Sequence, residues 1–295
     1  MKSNPTPLLH HTCELGEGPV WDEQNQRLLW VDILRGELHQ YNTKTKDHRF
    51  FSVGQMIGSF ALNEKGGFVA AVKDGFVNID GETGIISGIN NHEIHLTKNR
   101  FNEGKCDPSG RFWAGSMSLN DETGAGALYM LDHDFSVHRK RDNISISNGM
   151  AWSLDGKKMY YIDTPTYRVM AFDFDEKTGS IRSPVSVIEI KTEDGSPDGM
   201  TIDTEGKLWI AHWDGWQITR WNPATGKLLS RISIPAARVT SCIFGGPTFE
   251  DLYITTAKTG LTYKQLNDQP LAGSLFVIKD CGFKGLPATK FKSAN

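Results

Sequence analysis

The chain has 295 residues, 23% of them charged, and a formal net charge of −3 with no basic stripe, which argues against nucleic acid and anionic membrane as partners. No apolar run approaches the ~18 to 20 residues of a membrane span, and the N-terminal residues lead into no signal-peptide core. A soluble, cytoplasmic protein is therefore expected, with a small molecule as partner and a monomeric or weakly homo-oligomeric state. Thirty glycines and twelve prolines are spread along the chain without a linker or a change of composition, so a single domain over 1–295, with its core at about 8–288, is expected. Cys13, Cys106, Cys242 and Cys281 are scattered with no C-x-x-C spacing and read as buried, reduced thiols.

In chain order, residues 8–13 predict a short strand, and a repeating strand-turn-strand unit follows. Residues 21–32 read W-D-E-Q-N-Q-R-L-L-W-V-D and residues 61–70 read A-L-N-E-K-G-G-F-V-A. The third unit surrounds the turn Asp107-Pro108-Ser109-Gly110. Residues 152–163 read W-S-L-D-G-K-K-M-Y-Y-I-D, and residues 202–211 read I-D-T-E-G-K-L-W-I-A. A looser sixth copy spans 242–255, with Gly245-Gly246-Pro247 as its turn. The aromatics of the second strands, Trp30, Phe68, Trp113, Tyr161, Trp209 and Tyr253, recur at intervals of 38, 45, 48, 48 and 44 residues. A period of roughly 40 to 50 with several short strands per unit predicts an all-β, six-bladed propeller of four-stranded antiparallel blades. Residues 274–279 predict a last strand. A ring left open would expose sheet edges, so the terminal strands are expected to complete one shared blade.

The innermost strand of each blade lines the channel, and its first residues sit at one mouth. Thirteen residues before Trp30 is Glu17, and thirteen before Tyr161 is Asn148. Eleven before Trp209 is Asp198, and eleven before Trp113 is Asn102. Each is followed by Gly or Glu-Gly. One such pair is an ordinary turn, but agreement of register across four blades places four oxygen-bearing side chains in one small space. Two carboxylates brought together require a neutralising cation, so Glu17, Asn148 and Asp198 are the candidate ligands of one divalent metal. The all-oxygen set favours Ca2+, Mg2+ or Mn2+, while Zn2+ and Fe2+ also accept carboxylates. Three protein ligands leave positions open to water and substrate.

The motifs Leu15-Gly16-Glu17-Gly18-Pro19-Val20-Trp21, Asn99-Arg100-Phe101-Asn102-Glu103-Gly104-Lys105, Ser147-Asn148-Gly149-Met150-Ala151-Trp152-Ser153, Ser196-Pro197-Asp198-Gly199-Met200 and Thr240-Ser241-Cys242-Ile243-Phe244-Gly245-Gly246 occur together and in order. With them the chain resembles the regucalcin/gluconolactonase family of six-bladed propellers from about residue 8 to 288. The resemblance implies a metal-dependent lactonase that opens sugar lactones to aldonic acids, with Glu17, Asn148 and Asp198 matching the family's metal ligands. Arg100 and Asn102 match its substrate-contacting residues. Where vertebrate members carry a longer acidic lid, this chain has the shorter Ser118-Leu119-Asn120-Asp121-Glu122-Thr123-Gly124-Ala125-Gly126, so Asn120 falls at the substrate-binding position and no sugar preference is implied.

Independently of the family, lactone hydrolysis needs a polarised carbonyl, a nucleophilic water and a stabilised oxyanion. Asp198 is the candidate general base, taking a proton from the attacking water or steering it. Arg100 offers a fixed fork of donors for hydroxyls or the ring oxygen, and Asn102 a donor and an acceptor. The alternatives are a calcium-binding protein without turnover and a phosphotriesterase or aryl esterase on the same architecture. Sites of the latter kind want apolar walls, whereas Arg100 and Asn102 suit a polyol. His92-Glu93-Ile94-His95 lacks the spacing of a helical zinc site, and Ser116 and Ser118 lack a nucleophile elbow. Trp213 and Trp216 read as blade packing, with a place at the rim as the alternative, and His212 as a blade residue with the channel wall as the alternative.

Overall fold

The computed structural model describes residues 4–294. Twenty-four strands form six antiparallel sheets of four. Blades 1 to 5 each take four consecutive strands, over residues 16–52, 57–90, 99–144, 147–189 and 196–233. Blade 6 combines Arg238–Gly245, Asp251–Ala257 and Ser274–Ile278 with the N-terminal strand Thr6–Thr12, which pairs along Ser274–Ile278 as the outermost strand. The shared blade inferred from the edge-strand argument is therefore present. Among the described residues one α-helix, Tyr263–Asp268, held by a Thr262–Gln265 capping box, interrupts the strands, and no helix is long and apolar enough to cross a membrane.

The recurring aromatics are the core. Trp30, Trp113, Trp209, Tyr161, Tyr253 and Phe68 are all fully buried between adjacent sheets. In blades 3 and 5 each is tied to the turn before it, which is why turn and aromatic recur at one spacing. Asp107 accepts from the Trp113 indole at 3.0 Å and from Arg111 Nε at 2.7 Å. Asp203 accepts from Trp209 at 2.9 Å and from Arg220 Nε at 2.8 Å. The carboxylate thus satisfies a buried indole and a buried guanidinium at once, and the guanidinium in turn lies over an aromatic ring, as with Arg220 on Phe283 at 4.2 Å.

Packing continues past residue 288. The C-terminal segment crosses the mouth opposite the predicted site, where Gly285 bridges Asp203 and Phe291 bridges Asn63, and Phe291 is fully buried among blades 2 and 3. A lone aromatic in a polar tail, with no repeat around it, gave no periodic signal.

Removing the Asp203 carboxylate leaves the Arg220 and Trp209 donors stranded. Asp203→Ala should cost about 3 kcal/mol or more, read as a fall in thermal midpoint by several degrees; an unchanged midpoint would contradict the role given to this turn.

Candidate active site

The residues that converge on the axis do so through a break in the sheet. Along the inner strands, pairing to the second strand jumps from Glu17 to Val20, from Phe101 to Gly104, from Ser147 to Met150 and from Pro197 to Met200. Two inner-strand residues therefore face one residue on the partner strand, which is a β-bulge. Asn102, Asn148 and Asp198 are each the first bulged residue, and Glu17 immediately precedes the bulge of blade 1. Blades 2 and 6 carry the same irregularity at Gly58 and Thr240. Bulging frees these side chains from the strict in-out alternation, so that Asn102 and Glu103, neighbours in sequence, are both buried.

The following glycines have a second function. Gly149 and Gly199 lack positive φ and are not turn glycines. A Cβ on Gly149 would lie 2.7 Å from the Asp198 carbonyl oxygen, and one on Gly199 would lie 2.8 Å from that of Thr240. Only glycine lets neighbouring inner strands approach so closely, and that approach pinches the ligands of blades 4 and 5 together.

Glu17, Asn102, Glu103, Asn148, Asp198 and Arg100 are all buried. Burial, then the facing Asp198 and Glu103, pushes the Glu17 carboxyl well above the usual carboxylate range. Burial and Glu103 do the same to Asp198, with Glu17 within hydrogen-bonding reach of it. Oδ1 of Asp198 and Oε2 of Glu103 have no hydrogen-bond partner. Asn148 is held with its amide nitrogen on Thr164 Oγ1 at 2.9 Å, and Thr164 in turn donates to the Pro197 carbonyl at 2.8 Å. That fixes the Asn148 side-chain oxygen toward the axis, an outer-shell device for orienting a ligand. Three buried carboxylates face two cations, the buried Arg100 and the half-buried Lys105, the latter donating to the Met150 and Met200 carbonyls at 3.1 and 2.7 Å. An orphaned carboxylate oxygen within a negatively biased, all-oxygen donor set fits a hard divalent cation.

The predicted substrate residues divide. Burial lowers the Arg100 guanidinium to about 10, against the opposing pull of Glu17, Asp198 and Asp121, so it stays charged at neutral pH. Among the described residues only its Nη1 finds acceptors, the Phe101 carbonyl at 3.0 Å and Asn102 Oδ1 at 2.6 Å, leaving Nε and Nη2 for a ligand. Asn102 is more committed than its sequence position suggests. Its amide nitrogen donates to the Ser147 carbonyl at 2.8 Å and to Asn148 Oδ1 at 3.3 Å. It therefore links Arg100 to Asn148 and keeps only acceptor capacity for a substrate. Asn120 is exposed on the loop following Phe112–Ser118, its backbone N–H on Ser118 Oγ at 3.1 Å. The charge this loop turns toward Arg100 is that of its neighbour Asp121, held at a φ of 55°.

Sequence reasoning passed over Glu103, Lys105, Asp121 and Thr164. The first two lie within a motif already singled out, and their charge in a buried strand was the available signal; Thr164 carried none. Glu93, between the half-buried His92 and the exposed His95, is buried and accepts from Ser116 and Tyr129 at 2.7 Å each, bracing the loop before blade 3. His212 bonds Thr219 at 2.6 Å within blade 5, so the channel-wall alternative does not hold for it. Trp213 packs against the cluster that contains Leu15 and Ala257, and Trp216 is exposed beside it. A cavity of about 530 Å3 is lined by Glu103 and Lys105, by apolar residues such as Phe60 and Ile202, and by the C-terminal segment at Leu286 and Pro287. It touches none of Glu17, Arg100, Asn102, Asn148 or Asp198, so convergence of buried charge, not cavity size, marks the site.

Residues 15–258 match the family model described as the SMP-30/Gluconolactonase/LRE-like region. Regucalcin of Danio rerio is 41% identical over 277 residues, covering 93% of each chain, and regucalcin of Homo sapiens is 39% identical over 284 residues, covering 95% of each. Among solved structures, a luciferin-regenerating enzyme superposes with a TM-score of 0.89 at 34% identity, covering 96% of this chain and 97% of that one. A regucalcin of Agrobacterium tumefaciens, described as a calcium-binding protein, superposes with a TM-score of 0.93 at 28% identity, covering 98% and 97%. A gluconolactonase of Xanthomonas campestris, at 19% identity and a TM-score of 0.75 over 92% and 88%, shares the fold. With the ring, the bulged inner strands and their motifs in place, the chain belongs to the SMP-30/gluconolactonase/LRE-like family.

Proposed function

We propose that this protein is a metal-dependent sugar lactonase of the cytoplasm, hydrolysing an aldonolactone to its aldonic acid as a monomer or weak homo-oligomer. The observation that carries the reading is the unpartnered, buried Oδ1 of Asp198 among mutually repelling carboxylates, across the inner strand of blade 4 from an arginine with free donors. Membership of a family that takes its name in part from gluconolactonase supports it.

Glu17, Asn148 and Asp198 would hold one divalent cation, which would supply Lewis-acid polarisation and charge stabilisation at the lactone carbonyl. Arg100 binds ring hydroxyls through Nε and Nη2, and Asn102 Oδ1 accepts from a further hydroxyl. Asn120 and Asp121 present polar groups from the loop above. Asp198 takes a proton from the attacking water as its oxygen bonds to the carbonyl carbon. Collapse of the tetrahedral adduct breaks the ring C–O bond, and the proton passes to the departing ring oxygen, which becomes a hydroxyl. Thr164, through Asn148, and Asn102, through Arg100, hold this geometry before substrate arrives.

A second reading is a calcium-binding protein without turnover, favoured by the description of the Agrobacterium relative. The free donors of Arg100 speak for a bound polyol instead.

Chelator-stripped protein assayed by pH indicator on five- and six-carbon aldonolactones should release acid above the spontaneous rate only when Ca2+, Mg2+, Mn2+, Zn2+ or Fe2+ is restored. Asp198→Ala should lower kcat by about 1000-fold while the stripped variant melts no lower than wild type, because a repelling carboxylate is gone. Metal binding without acid release from any lactone would establish the second reading. Folding raises the Glu17 and Asp198 pKa values, so the metal-free fold gains stability as pH falls through them, and metal binding must displace protons. Calorimetry in buffers of different ionisation enthalpy should show about one proton released per ion bound and weaker binding at lower pH; pH-independent binding would place the ion elsewhere.

A further inference from the structure

Away from the channel, the seam where the N-terminal strand closes the ring holds an unusual group of side chains. His11 and Cys13 lie two residues apart at the end of strand Thr6–Thr12, the outermost strand of blade 6, and so project to one face. Glu37 and His39 are likewise two apart on strand Glu37–Asn42 of blade 1. The two faces meet. One ligand atom each from His11, Cys13 and His39 lie within 4.8 Å of one another. His48, on the neighbouring strand His48–Ser52, has its Nε2 3.0 Å from His39 Nδ1.

Cys13 and His39 are buried, His11 and His48 half-buried, and the group is incompletely paired. His39 and Cys13 are fully buried, yet Nε2 of both His39 and His11 lacks a hydrogen-bond partner. Nε2 of His39 faces Glu37 Oε2 at 3.2 Å without hydrogen-bonding geometry. Trp30 stacks on His39 with ring centres 4.9 Å apart and on His48 at 5.3 Å, fixing both rings. Packing alone would place apolar side chains here. Buried imidazole nitrogens without partners are unfavourable for the fold.

We propose that His11, Cys13 and His39 form a second, chemically distinct cation site, for a thiophilic ion such as Zn2+, that fastens the N-terminal strand to blade 1. Mixed imidazole and thiolate donors select Zn2+ over the hard cations suited to the channel. His48 and Glu37, both already against His39, are placed to complete the coordination. Burial lowers His39 to about 3 and His48 to about 4, so the imidazoles are in the neutral form that ligates. Burial pushes the Cys13 thiol up to about 12, and it gives its proton to solvent as the sulfur–metal bond forms. Arg35 and Lys258 lie near this group and oppose a cation, whereas Asp32 and Glu37 offset them. The site ties the first strand to blade 1, so occupancy holds that strand in the orientation in which it pairs with Ser274–Ile278.

Chelator-treated, full-length protein is titrated with Co2+, a spectroscopic stand-in for Zn2+. The expected result is a thiolate-to-cobalt charge-transfer band saturating at about one equivalent, bleached by Zn2+, with Zn2+ but not Mg2+ raising the thermal midpoint in a Glu17→Gln/Asp198→Asn variant whose channel site is disabled. Cys13→Ser should abolish the band. His11→Ala, at a half-exposed position that the fold tolerates, should weaken the affinity by about 100-fold, which keeps the test decisive if Cys13→Ser fails to fold. No band at stoichiometric Co2+, or a band that survives in both variants and so arises from Cys106, Cys242 or Cys281, would overturn the proposal.

Discussion

Everything about this ring turns on the enforced proximity of like charges at its axis. Glu17, Glu103 and Asp198 come from three blades and are buried together, where mutual repulsion and desolvation both oppose ionisation. Such a cluster is unfavourable for the fold in isolation. Its cost is carried by the indole, carboxylate and guanidinium ties at the blade turns, by the buried aromatics and by the shared blade that closes the circle. The rigidity supplied by the blades is what allows the axis to remain under electrostatic strain, which a divalent cation held there would relieve.

Two features of the chain create the convergence. A bulge in every inner strand turns consecutive residues toward the axis, and glycines at 149 and 199 let adjacent strands close to distances that no side chain allows. The register of Glu17, Asn102, Asn148 and Asp198 was legible in the sequence because the aromatic markers repeat, and counting back from them needs no knowledge of the bulge. The bulge itself was not legible, since an extra residue in one strand leaves no mark in periodicity. Nor was the role of the glycines, for Asx-Gly reads as a turn until the contact across the blade boundary is seen. The same limit hid Thr164 and Phe291, whose partners lie 16 residues and more away along the chain.

On the substrate side, structure redistributes roles among neighbours. Asn102 spends its donors on Ser147 and Asn148 and so acts as a spacer between Arg100 and the ligand set, while Arg100 retains directional donors. The loop over the site brings Asp121 into the field of Arg100, next to Asn120, the position that the resemblance implies for substrate binding. Hydroxyl recognition by a charged, half-satisfied guanidinium beside a hard-cation site suits a small oxygen-rich ester better than an apolar phosphotriester. The seam cluster of His11, Cys13 and His39 offers the opposite donor chemistry, imidazole and thiol in place of oxygen, so the two clusters would differ in the cations they select.

The central claim is that Glu17, Asn148 and Asp198 share one ion. Anomalous diffraction from crystals grown with Mn2+ tests it most directly. A single strong peak on the axis, about 2.0 to 2.6 Å from a side-chain oxygen of each residue, is the predicted result; an empty channel, or an ion bound without Asp198, would contradict the account.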